Sequence, residues 1–223
     1  MQKQYKLQMF VCRVINSFTL AEVLMCLLIT GIIASIIIPT IIYEIEDAHF
    51  KVLLKEDFGI LSQVTKEIAS EQGGTLKNVC KLSDSDCFLS LYKSHLNYVK
   101  ECGNGYLFVK GCWLYITKYL NGRPLYTHNG CGLILSNGTA INFNWFGGTG
   151  ILADIKIDVN AAQPPNTVGR DIFAFYIVSN VLIPQGAKSD KYYTGNGAFE
   201  CNPNLPKNID GPGIYCTAKY LTN

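Results

Sequence analysis

Charge is scarce in this chain. Asp, Glu, Lys and Arg make up 16% of its 223 residues, 19 basic against 17 acidic, for a net charge of +2. Phosphate recognition gathers Lys and Arg on one face, and no such cluster occurs, so nucleic acid is not indicated as a partner. Lys51, Lys55 and Lys66 are interleaved with Glu56, Asp57 and Glu67, which reads as a mixed, solvated helix face. Histidine is equally sparse: His49 lies in a helical stretch, and His95 and His128 have no Ser or acid patterned to orient a triad. No two cysteines are separated by two residues, the short spacing that marks a zinc site. Cys131 stands close to His128, yet nucleophile and base meet in space rather than in sequence. These absences leave no catalytic constellation, and the chain is read as a non-enzyme with no required cofactor.

What the chain does have is one long apolar run. Residues 18–42 read FTLAEVLMCLLITGIIASIIIPTII, with Glu22 as the lone charge. About 25 residues at helical rise give roughly 37 Å, enough to cross a hydrocarbon core of about 30 Å with some tilt. A carboxylate inside that core costs about 2.5 to 3.5 kcal/mol and needs a partner or a purpose. The run is too long for the apolar region of a secretory signal peptide. Met25 before Cys26 is not a lipoprotein box, so Cys26 reads as a small hydrophobe. Lys3, Lys6 and Arg13 precede the run, whereas Glu44, Glu46 and Asp47 follow it, which places residues 1–17 in the cytoplasm and the rest outside.

These residues resemble the amino terminus of type IV pilins and type II secretion pseudopilins. The shared pattern is a basic leader, a small residue (Ser17, where glycine is usual), Phe18-Thr19-Leu20-x-Glu22, and Pro39 near the end of the apolar run. The resemblance implies cleavage before Phe18 by a prepilin peptidase and methylation of the new terminus. An α-amine of the kind so exposed titrates at about pH 7.7 to 8 in short peptides and is mostly charged at neutral pH. Glu22, one helical turn on, is implied to neutralise the amine of a neighbouring subunit and set axial register. A buried pair adds little net stability, but leaving one partner alone is costly, so the pair selects register. The implied partners are other pilin or pseudopilin subunits, the peptidase, the membrane, and an inner-membrane assembly platform with its ATPase. The implied place is the bacterial inner membrane, then a filament. The large, cysteine-rich domain favours a minor pilin or pseudopilin. The competing reading is an extracytoplasmic binding protein or enzyme carrying a pilin-like anchor.

Seven of the nine cysteines lie beyond the run, in an oxidising compartment on this orientation. Short polar loops favour pairing Cys80 with Cys87 and Cys201 with Cys216; Cys102 with Cys112 is a third pair, leaving Cys131 free.

Beyond Pro39 a helical period continues through Phe50, Leu53, Leu54, Phe58, Leu61, Val64 and Ile68 to Gly73-Gly74. The expected organisation is a leader (1–17), a membrane or filament-core helix (18–42), an amphipathic continuation (43–72) and a globular domain (73–223). A kink at Pro39, or a break into two helices, is expected from its missing N–H. Asp84 or Ser85 caps a short helix reaching about residue 98. Strands are expected at 105–110, 112–120, 151–159 and 172–178, and a hairpin at 133–143, with a type I′ turn at Asn137-Gly138. The expected fold is α+β, a long N-terminal helix packed on an antiparallel sheet. Trp113, Tyr115, Trp145 and Phe146 read as core or sheet-face residues.

Residues 157–173, with Asp158, Asn160, Pro164-Pro165-Asn166 and Gly169-Arg170-Asp171, resemble a segment of many minor pilin-like proteins. A carboxyl-terminal loop binds calcium in the major pseudopilins, and Asp154, Asp158, Asn160 and Asp171 offer hard oxygen ligands. Asx-turns account for the same residues, and the spacing favours them because the twelve-residue calcium loop is absent.

Overall fold

The computed structural model describes residues 19–81, 84–105, 111–126, 130–144, 150–188 and 199–221. The expected leader, the residues flanking the cleavage point (Ser17 and Phe18), His128, Trp145, Phe146 and most of the strand expected at 105–110 lie outside them. The chain divides into two compact units, Met1–Ile45 and Glu46–Asn223. Helix α1 (Leu20–Glu71) contributes to both and is continuous through Pro39, so two separate helices are not formed.

In the first unit, the described part is helix whose apolar side chains are almost all exposed. In the second unit, Phe50, Leu54, Leu61, Val64 and Ile68 recur every three or four residues and are buried against a sheet. Each such side chain, fully buried, contributes about 1.5 to 3 kcal/mol. The helix ends in a Schellman motif: Gly74 N–H donates to Ala69 O at 2.8 Å and Gly73 N–H to Ser70 O at 3.3 Å.

The sheet is antiparallel throughout, in the order β1-β4-β5-β6-β7-β8. Its strands are β1 (Tyr98–Gly105), β4 (Gly130–Leu135), β5 (Ala140–Asn144), β6 (Ile151–Asp158), β7 (Ile172–Val178) and β8 (Val181–Pro184). Period-two alternation sends Leu133, Ile141, Phe143, Ile155 and Phe175 to the helix side. The opposite face carries Ala140 and Ile172 in a smaller core with Trp113, Val168 and the Cys102–Cys112 bridge. Over it lies a two-stranded ribbon, β2 (Ile116–Lys118) and β3 (Pro124–Tyr126).

Several local expectations are corrected. Helix α2 (Ser85–Lys93) is capped by Asp84, whose Oδ1 accepts from Cys87 N–H at 2.9 Å, but it stops well before residue 98. His95 at its end reaches Glu71 Oε1 at 3.0 Å, and that hydrogen bond raises the imidazole pKa. The β4–β5 turn is not type I′, because Asn137 has no positive φ. Gly138 alone takes one, at 94°, and Gly138 N–H donates to Leu135 O, which makes a type I turn closed by a glycine bulge. Asp57 is not part of a solvated face: it is 1% exposed and accepts from Asn137 Nδ2 at 3.0 Å and Thr139 Oγ1 at 2.8 Å. Of the two alternatives for Tyr115, core and sheet face, its 41% exposure excludes the core. Strand β8 and helix α3 (Cys216–Leu221) were not expected from the sequence.

Burial raises the Asp57 carboxyl pKa, and the hydrogen bonds from Thr139 and Asn137 offset this only in part. With the folded value above the unfolded one, folding is weakened as pH rises above about 4, where the unfolded carboxyl ionises. Asp57→Asn retains groups able to bond Asn137 and Thr139. Its melting temperature is expected to match wild type near pH 3 and to exceed it at pH 7. A loss at pH 7 equal to the loss at pH 3 would show that burial of the charge has no part in the balance.

Candidate functional site

The amino end of α1 is built by a reciprocal pair. Thr19 N–H and Oγ1–H each donate to Glu22 Oε2 at 2.8 Å, and Glu22 N–H donates to Thr19 Oγ1 at 3.3 Å. This is a capping box, with Thr19 as N-cap and Glu22 at the third helical position. The signal for it, Thr-x-x-Glu, stands in the sequence at 19–22; reading Glu22 only as a charge in hydrocarbon passes over it. The carboxylate therefore sits at the mouth of the helix, where its charge also meets the positive end of the backbone dipole.

Past the cap the surface is apolar on every side. Leu20, Leu24, Met25, Leu27, Leu28, Ile32 and Ile36 are all more than half exposed. The few hydroxyls are turned onto the helix backbone, Thr30 to Cys26 O at 2.8 Å, Ser35 to Ile32 O at 2.7 Å and Thr40 to Ile36 O at 3.3 Å. Pairing polar groups within the segment is what a lipid or a packed helix bundle demands. Among the described residues this is one helix long and apolar enough to cross a membrane, compatible with a single pass. Pro39 removes one donor from its ladder.

The four candidate calcium ligands do not gather at one point. Asp154 and Asp158 lie four residues apart on β6, about 13 Å at strand rise. Asp154 is spoken for by Gln185 Nε2 at 2.9 Å, and Lys156 Nζ is 4.0 Å away. Asp158 Oδ1 accepts from Asn160 N–H at 3.3 Å, an Asx-turn, and Asn160 Nδ2 donates to Pro164 O at 2.9 Å. Asp171 accepts from Asn166 N–H and Thr167 N–H, both at 2.6 Å. Burial raises all three carboxyl pKa values, and Asp171 pushes Asp158 further up. Among the described residues no three His, Cys, Asp or Glu side chains form a metal-holding group.

The Gly169-Arg170-Asp171 segment acts as a fastener. Arg170 Nη2 donates to Glu46 Oε2 at 3.2 Å, and its guanidinium lies 6.0 Å from the Phe50 ring, both on α1. Gly169 has φ 85°, and a Cβ there would meet Gly213 O at 2.6 Å and Cys216 Sγ at 2.7 Å. Cys216 is bridged to Cys201, so the same glycine seats the carboxyl-terminal loop on the sheet.

The other bridges are Cys80–Cys87 and Cys102–Cys112, and among the described residues Cys26 and Cys131 are free thiols. Closing 15 residues, the Cys201–Cys216 bridge contributes about 3 kcal/mol in the chain-entropy account. Cys131 is fully buried on β4, and burial pushes its thiol pKa up to about 11. It is expected to resist iodoacetamide at pH 8 until the domain is unfolded. Labelling of Cys131 at the rate of a free thiol in the folded chain would contradict that burial.

Comparison with protein families, with curated proteins and with solved structures finds no match to this chain.

Proposed function

We propose that the chain is a structural subunit of a pilin-like filament, a minor pilin or pseudopilin, cut before Phe18 and assembled through its amino-terminal helix. The observation that carries this reading is the exposed apolar helix with a single acid, Glu22, set at its first turn, one turn from Phe18. Such a helix must be covered by lipid before assembly and by other helices after it. In the assembled state Glu22 exchanges its Thr19 contacts, in whole or part, for the charged amine of a neighbour. The leader lies in the cytoplasm and the disulfide-bonded domain outside the inner membrane. The partners are the prepilin peptidase, further subunits of the same class, and an assembly platform in the membrane.

Mass spectrometry of the mature amino terminus tests the proposal, using the full chain expressed in cells that hold a prepilin peptidase. The expected product begins at Phe18, with or without a methyl group. An intact Met1, or a cut elsewhere, would sink the filament reading and favour a membrane-anchored binding protein.

A further inference from the structure

Between the β2–β3 ribbon and the sheet face away from α1, within the Glu46–Asn223 unit, lies a cavity of about 130 Å³. Its wall is largely apolar: Trp113, Val168, Ile172 and Ala174 are buried there, and Leu125 of the ribbon joins them. The Asn142 carboxamide, although orphaned, is sealed beneath its neighbours and takes no part. Gln185, 5% exposed, is held by Nε2, which donates to Asp154 Oδ1 at 2.9 Å. A carboxylate oxygen accepts, so that bond fixes which end of the Gln185 carboxamide is which. Oε1 is left an acceptor with no partner among the described residues and, unlike the Asn142 atoms, is not sealed off. Of the other polar groups in the wall, Thr117 Oγ1–H donates to Leu125 O at 3.4 Å and Lys156 faces Asp154 at 4.0 Å. An unpaired, reachable acceptor in an apolar wall calls for a donor carried on an apolar body.

We propose that this cavity binds a neutral phenol, its ring against the apolar wall and its hydroxyl donating to Gln185 Oε1. Size sets the ring, since an apolar cavity of about 150 Å³ takes benzene. Flatness suits a space between two layers, sheet and ribbon, and Trp113 offers a second ring for edge-on or offset contact. Charge selects as well: a phenol titrates at about pH 10 and is neutral at pH 7, whereas a cationic ring would meet Lys156. An ordered water would satisfy Oε1 yet leave most of a cavity this size lined by carbon and unfilled. The same chemistry has two sources, a free phenolic compound or the tyrosine side chain of a polypeptide. The site does not depend on filament assembly, and its test does not depend on amino-terminal processing.

The test is a titration of p-cresol into the full chain in detergent, followed by the indole N–H resonance of Trp113, which Trp113→Phe assigns by its loss. A saturable shift is expected. Toluene lacks the donor and cyclohexanol lacks the flat ring, and each is expected to bind about fivefold more weakly at equal free aqueous concentration. Ala174→Leu fills the cavity and is expected to abolish the shift with an unchanged circular dichroism spectrum. Leu125→Trp fills it from the ribbon and decides the matter if Ala174→Leu does not fold. N-acetyltyrosinamide separates the sources: binding within about threefold of p-cresol assigns the site to a tyrosine, and weaker or no binding assigns it to a free phenol. No saturable shift with p-cresol in wild type, equal binding of either comparator, or a shift unaltered in the folded variants would overturn the proposal.

Discussion

Replacing Glu22 with alanine is expected to leave the chain in the membrane and to cut its incorporation into filaments about a hundredfold, the scale of an unpaired charge in a buried interface. Two different losses would follow from that one change. Alanine removes the carboxylate proposed to pair with a neighbour's amine, and it also removes the acceptor for Thr19 N–H and Oγ1–H. Glu22→Gln separates them, since glutamine serves at the same position of a capping box but carries no charge. If register depends on charge neutralisation, Glu22→Gln fails as badly as Glu22→Ala in a complementation assay. If Glu22→Gln assembles like wild type while Glu22→Ala does not, the role of Glu22 is to cap its own helix. Equal assembly of all three would end both accounts. Membrane fractionation of each variant supplies the control, because insertion is expected to rest on the apolar run and not on this residue.

Gly169→Ala is the second change with a large expected effect, a loss of about 3 kcal/mol or more. An alanine held in the left-handed region costs about 1 to 2 kcal/mol. Its methyl group would also press into Gly213 O and Cys216 Sγ at less than 3 Å, and overpacking adds about 1 to 3 kcal/mol. For a domain of this size the melting temperature is expected to fall by about 10 °C. The comparison that gives this meaning is Gly150→Ala, another glycine with positive φ whose Cβ would meet nothing within 4 Å. The backbone cost is common to both, so a fall of equal size in the two variants would show that the close approach at Gly169 adds nothing.

The parts of the fold that were legible in the sequence share a physical character: each is decided by neighbours along the chain. The three-to-four period from Phe50 to Ile68 announced the packed half of α1. Alternation and Asn137-Gly138 announced the β4–β5 hairpin, and short polar loops favoured the pairings found in the three bridges of the structure, without fixing them. Strand β8 was missed because four residues ending in Pro184 carry too little pattern; it forms because β7 offers an open edge. Helix α3, six residues long, is seated by Thr217, whose Oγ1 accepts from Ala174 N–H on β7 at 3.0 Å. The type I′ turn failed since the choice between turn types there goes with an acid 80 residues away: Asn137 reaches Asp57.

By itself the sequence determined the apolar amino-terminal helix, its lone acid, and an α+β domain after it. Those follow from period, length and local charge, which need no tertiary contact. Only the tertiary structure decided that Asp57 is buried, that Gly169-Arg170-Asp171 fastens loop to helix, and that Asn142 is buried with no partner for its carboxamide. Each of these depends on which distant residues the sheet brings together, and pairing across strands and layers is not written in the spacing of any one segment.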